Sequence, residues 1–121
     1  MDLLVKNNHL YLTNIGGSSG NVIIKLTKEL QYVDSFGRVV DFTSGETADQ
    51  LGEFYGPTRF LATTAEHIYL TDDNAEYIDG FPVESPNRII RFKDIEGSDW
   101  KAYRPVGSEG DELGLYAPIP S

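Results

Sequence analysis

His9-Leu10-Tyr11-Leu12-Thr13-Asn14 returns as His67-Ile68-Tyr69-Leu70-Thr71-Asp72, and Asn21-Val22-Ile23-Ile24-Lys25-Leu26 returns as Asn87-Arg88-Ile89-Ile90-Arg91-Phe92. The first step runs from position 9 to position 67, 58 residues, and the second from 21 to 87, 66 residues, so the later copy holds eight extra residues between its matching pieces. A period of this size means stacked supersecondary units, none of which buries its apolar face alone. Architecture and assembly are therefore what this sequence speaks to first; it names no reaction.

Working outward, period and turn chemistry place the strands. In the first copy Leu3-Leu4-Val5 is a short strand ended by Asn7-Asn8, residues 9 to 14 form a second, Val22-Ile23-Ile24 begins a third, and Leu30 to Phe36 forms a fourth. The second copy runs Thr58 to Thr64, His67 to Thr71, Arg88 to Lys93 and Trp100 to Arg104. Within the strand after His67, Ile68 and Leu70 point to one side and Tyr69 and Thr71 to the other, so a blade packed on both sides could bury both sets. Gly56-Pro57 suits the start of a strand, because proline presets φ and lacks a donor that only an edge or first position can spare. Asn14 and Asp72 at the strand exits are expected to hold the next turn by accepting backbone N–H bonds. Only Ser44 to Leu51 reads as helical, and it is short enough for a single turn.

Four short strands per repeat is the pattern of a β-propeller blade. Phe54-Tyr55-Gly56-Pro57-Thr58, then His67 to Asp73, then Asn87 to Phe92 resembles the NHL-repeat signature, with a Gly-Pro lead-in, an apolar-Tyr-apolar strand ending in Asp, and an Asn-Arg-Ile strand. The likeness covers most of the second copy and, more loosely, residues 3 to 38. The loop from Asp73 to Pro86 is longer than that family usually has, and the first copy reads Asn21-Val22 in place of Asn-Arg. The resemblance implies propeller blades and no particular ligand. The expectation is an all-β chain: blade one over about 1–38, a connector over about 39–53, blade two over about 54–107 and a tail over 108–121. Two blades do not close a propeller, which takes about four to eight. The chain is then a piece of a larger propeller or is completed by other copies, unless its blade faces are covered by residues 39–52 or by the tail.

Composition limits the function classes. The chain has 121 residues, 40% of them hydrophobic, with 10 Lys and Arg against 19 Asp and Glu for a net charge of −9. That suits one domain with a core, and it offers no basic stripe to gather phosphates, so nucleic acid is not an expected partner. The absence of cysteine excludes disulfides, thiolate metal sites and a cysteine nucleophile. No apolar run approaches the roughly 20 residues of a membrane helix, and the first residues lack a signal-peptide pattern. The composition leans slightly towards the cell envelope or a secreted location.

Candidate chemistry is thin. Gly16-Gly17-Ser18-Ser19-Gly20 matches the nucleophile-elbow pattern, but an elbow joins a strand to a helix, whereas Val22-Ile23-Ile24 reads as another strand. His9 and His67 fall at equivalent strand starts and read as strand-edge residues rather than a general base or metal pair. Asp72, Asp73, Asn74, Glu76 and Asp79 could offer oxygen ligands to calcium, although their spacing is not that of the helix-flanked calcium loop and an acidic solvated loop is the simpler reading. Tyr77, Ile78, Phe81 and Val83 are too apolar for a polar loop, and so either fold back on the blade or meet a partner. Tyr55, Trp100 and Tyr103, with carboxylates nearby, are the residues to test for sugar stacking. The expected function is a non-catalytic binding or scaffolding module acting on protein partners or on itself. A carbohydrate-binding module and a fragment of a larger propeller enzyme are the alternatives.

Overall fold

A computed structural model describes residues 2–13, 22–72, 75–84, 87–105 and 116–119 of the chain. Among them the fold is all-β, with two antiparallel meanders as its main layers and no closed barrel or propeller. No helix among the described residues is long and apolar enough to cross a membrane.

The first sheet is β1 (Leu3–Lys6), β2 (His9–Thr13), β3 (Ile23–Thr27) and β4 (Tyr32–Phe36), in that spatial order. Its first hairpin closes through Asn7 and Asn8, both at positive φ (50° and 66°), the two-residue turn whose twist matches the flanking strands. A bulge between Lys25 and Leu26 bends β3 against β4. A connector follows. β5 (Arg38–Val39) pairs in parallel with β6 (Glu53–Phe54), and between them lies one 3₁₀ turn, η1 (Phe42–Ser44), closed by Gly45 at φ 93°. The helical expectation for Ser44 to Leu51 is corrected accordingly. The helical turn lies just before that stretch and ends at Ser44, because Gly45 adopts the left-handed conformation that stops a helix.

The second sheet contains β7 (Pro57–Thr63), β8 (Ile68–Asp72), β11 (Arg88–Phe92) and β12 (Lys101–Pro105), with β13 (Tyr116–Pro118) added beyond β12. Pro57 opens β7, an edge strand, where its missing donor costs no ladder bond. The tail's Pro118 likewise sits on the opposite edge. The stretch read as a long loop is instead largely a separate hairpin, β9 (Ala75–Ile78) with β10 (Phe81–Glu84). Asp79 (φ 51°) and Gly80 (φ 82°) form its two-residue turn.

The main core lies between the two sheets. Tyr11, Ile23 and Val22 from the first face Phe60, Ile68, Leu70, Ile90 and Phe92 from the second, with Phe54 of the connector completing the cluster. Trp100 packs edge-on to Phe54 (5.3 Å between centroids) and Phe36 (6.0 Å), so one aromatic group joins both sheets and the connector. A Cβ on Gly37 would lie 2.6 Å from the Phe54 ring and 2.8 Å from Val22, at φ 91°, so the chain passes this point only as glycine. Val40, Ala48 and Tyr55, with Phe42 against them, make a smaller cluster under the connector.

Polar bonds fix the alignment of the layers. Tyr11 Oη donates to Asp94 Oδ1 (2.8 Å), and Lys25 Nζ reaches both Asp94 oxygens at 3.0 Å, tying the first sheet to the turn after β11. Burial would raise the Asp94 carboxyl, but the Tyr11 hydroxyl, the Ile95 N–H and Lys25 together hold it below the usual carboxylate range. The Tyr11 hydroxyl is pushed far above its ordinary value, first by burial and then by that carboxylate. Asp2 Oδ2 accepts the Phe60 N–H at 2.7 Å, capping a donor on edge strand β7.

Candidate functional site

Three features outside the main core can carry function: a buried ion pair under the connector, a cleft beside it, and the outward faces of the sheets. The ion pair joins the last residue of β8 to the first of β11. Arg88 Nε donates to Asp72 Oδ2 at 2.7 Å, and Arg88 Nη1 and Nη2 donate to the Ala48 and Glu53 carbonyls at 2.9 and 2.8 Å. The guanidinium lies 4.9 Å from the centre of the Tyr55 ring. Asp72 also accepts the Gly56 N–H at 2.7 Å and the Tyr55 N–H at 3.2 Å. Burial pushes the Asp72 carboxyl up, against the pull of Arg88 and the backbone donors. Asp72 thus holds the Gly-Pro lead-in to β7, which lies beside β8 with Pro57 paired to Asp72; the turn that follows Asp72 lies outside the described residues. Asn14, its counterpart, is outside the described residues, as is Gly16 to Gly20 with Ser18.

A cleft of about 610 Å³ opens beside this clasp, lined by Asp49, Gln50, Tyr55, Asn87, Arg88 and Trp100 among others. It brings together two of the three residues considered for sugar stacking. Tyr55 is buried and Trp100 half-buried in the aromatic group, while Tyr103 lies across β12 and accepts a bond from Arg91 Nη1 at 3.3 Å. Of the oxygen-ligand set, Asp72 is committed to Arg88, Asp79 is exposed in its turn, Asp73 and Asn74 fall outside the described residues, and Glu76 is described in backbone only. Among the described residues no three His, Asp or Glu side chains gather as a metal site. Of the apolar hairpin residues, Phe81 is 73% exposed; Tyr77, Ile78 and Val83 lie on β9 and β10. His9 Nδ1 lies 2.8 Å from the Asn7 carbonyl, and His67 Nε2 lies 2.5 Å from Asp99 Oδ2, both at strand starts.

The outward face of the first sheet is a feature that reading the strands one by one does not single out. Ladder register sets Leu3, Leu12, Ile24 and Ser35 in one row and Val5, Leu10, Leu26 and Tyr32 in the next. Leu3, Val5 and Tyr32 are exposed, and Leu10, Leu12, Ile24 and Leu26 are half-buried and belong to neither core cluster. A solvent-facing sheet side normally alternates to polar residues; of these eight positions Ser35 is the one without an apolar or aromatic side chain. The signal is present in the alternation of Leu10, Leu12, Ile24 and Leu26, but a strand with apolar residues on both sides does not say which side is covered.

The opposite side of the second sheet is mixed. Arg59, Thr71, Ile89 and Tyr103 form one row, and Ala62, Tyr69, Arg91 and Lys101 the next. Arg91 Nη2 donates to Asp99 Oδ1 at 3.0 Å, whereas its Nε is buried and has no hydrogen-bond partner among the described residues. No protein-family profile matches this chain, and no curated protein and no solved structure matches it either.

Proposed function

We propose that this chain is a non-catalytic binding or scaffolding module, built of blades like those of NHL repeats and docking proteins on the open face of its first sheet. The observation that carries the reading is the two-row apolar face from Leu3 to Tyr32, which spans all four strands. Each apolar side chain left in water forgoes roughly 1.5–3 kcal/mol of burial, so such a face is stabilised by a protein surface laid upon it. The blade reading is supported by the two meanders in sequence order, packed face to face. The test is bis-ANS binding with dilute protein. The dye should bind the wild type and bind Leu12→Glu and Leu26→Glu much less, with far-UV circular dichroism unchanged. Equal dye binding by folded variants would remove the docking reading.

A second reading, carbohydrate binding, is favoured by the cleft, where Tyr55 and Trp100 stand with Asp49, Gln50 and Asn87 as polar partners. A glycan array probes it directly. Binding that survives Leu12→Glu and is lost on Trp100→Phe would favour the cleft over the sheet face.

A further inference from the structure

The internal repeat and the internal packing make different statements, and together they identify a partner. By the offsets of the repeat, Leu10, Leu12, Ile24 and Leu26 of the first sheet correspond to Ile68, Leu70, Ile90 and Phe92 of the second. The latter four are fully buried in the main core; the former four make the open face. In the same way Tyr11, Thr13, Ile23 and Lys25 correspond to Tyr69, Thr71, Ile89 and Arg91. Here the residues of the first sheet point towards the core side and those of the second point outward. The two sheets therefore stack front to back. The Tyr/Thr/Ile/Lys side of the first sheet lies on the all-aliphatic or aromatic side of the second, and among the described residues neither core cluster includes the remaining face of either sheet.

We propose that the protein self-associates head to tail, the Tyr69, Thr71, Ile89 and Arg91 face of one copy seating on the Leu10, Leu12, Ile24 and Leu26 face of the next. This rests on the docking reading above and names its partner as a second copy. The required interface already exists inside each molecule, between faces of the same chemistry. Tyr matches Tyr, Thr matches Thr, Ile matches Ile and Arg replaces Lys on one side, while four apolar residues answer four on the other.

The polar groups are not repeated, so the contact between copies rests on the apolar rows. Within the molecule Lys25 and Tyr11 both bond Asp94, which lies two residues past Phe92. By the same 66-residue offset the counterpart of Asp94 is Lys28, with the exposed Glu29 beside it at that turn. On the seating side Arg91 keeps Asp99 and Tyr103 as partners within its own chain. A front-to-back contact is heterologous, so it generates a closed ring or an open filament and not an isologous dimer.

Light scattering after size exclusion, over a concentration series, supplies the test. The wild type should grow from its single-chain mass of 13.5 kDa towards multiples of it. Leu12→Glu, or Leu26→Glu should the first misfold, removes the receiving face. Ile89→Glu, or Tyr69→Glu in its place, removes the seating face. Each folded variant should weaken self-association by roughly tenfold or more. An equimolar mixture of one variant of each kind retains one intact interface and should give a species of two chains. Three results overturn the proposal: single-chain mass up to about 0.5 mM, where even a near-millimolar Kd would show; assembly indifferent to Ile89→Glu and Tyr69→Glu, which would mean like faces meeting; or variants that fail to complement. The bis-ANS result in dilute protein separates the two failures. Dye binding lost in Leu12→Glu with no self-association leaves the docking face standing with another occupant, and no dye dependence removes both.

Discussion

β2 and β8 share the pattern His, apolar, Tyr, Leu, Thr, yet they bury opposite sides. In β2 the buried residues are Tyr11 and Thr13; in β8 they are Ile68, Leu70 and Asp72, with Tyr69 and Thr71 half-exposed. The side-chain period of a strand is two, so identical letters present the same two faces wherever they occur, and only the neighbour decides which face is core. β2 has its neighbour on the tyrosine side and β8 on the aliphatic side. The repeat therefore encodes units with two faces, and among the described residues the two sheets stack in one direction.

The Arg88 clasp is unique to the second copy, and losing it should cost the most. At the positions of Arg88 and Asp72 the first copy has Val22 and Asn14, so the ion pair belongs to one sheet alone. Arg88→Met leaves a buried carboxylate without its partner and should cost about 3–5 kcal/mol in urea unfolding, whereas Asp72→Asn with Arg88→Met should cost less than the single change. Equal losses would mean the pair is not coupled. Next comes the direct test of opposite burial. Leu70→Ala should cost about 2–5 kcal/mol, and its counterpart Leu12→Ala, measured in dilute protein, about 1 kcal/mol or less. Similar losses at both positions would mean that β2 and β8 bury the same side.

The smallest effect concerns Tyr11 against Tyr69. Tyr11→Phe loses the bond to Asp94 and should cost about 1 kcal/mol, while Tyr69→Phe should fall within about 0.5 kcal/mol of wild type. The Asp94 part of that bond titrates. Its carboxyl is held below the ordinary value in the fold, so the stabilisation is complete above the unfolded-state value of about 4 and fades as pH falls through the folded one. The stability gap between wild type and Asp94→Asn should therefore be constant at neutral pH and close in acid. A gap that widens in acid would reverse the assignment.

Strand positions are legible in the sequence because alternation and turn residues agree. The strands expected in both copies coincide with β1 to β4 and with β7, β8, β11 and β12 to within a few residues. The β9–β10 hairpin is legible too, yet the sequence reading passes over it. Asp79-Gly80 between alternating residues is a strong hairpin signal, and Asp79, counted among the candidate oxygen ligands, is the first residue of that turn. The phase of burial is not legible, since Leu10 and Tyr11 are each fit for a core. Nor is the Arg88 clasp, whose acceptors Asp72, Glu53 and Ala48 lie 16, 35 and 40 residues away in sequence. Tyr55 and Trp100 stand out by residue type, and the cleft that joins them depends on how the connector folds under β11.

The Asp79-Gly80 turn is also a practical handle. Nothing lies within 4 Å of where a Cβ on Gly80 would stand, and both turn residues are exposed on a hairpin that belongs to neither main sheet. Loop tips of this kind accept added chain with little loss. A short epitope or a dye-labelling peptide spliced there would give each copy a reporter set apart from both stacked layers, so that association could be watched by energy transfer between labels with neither candidate contact face altered.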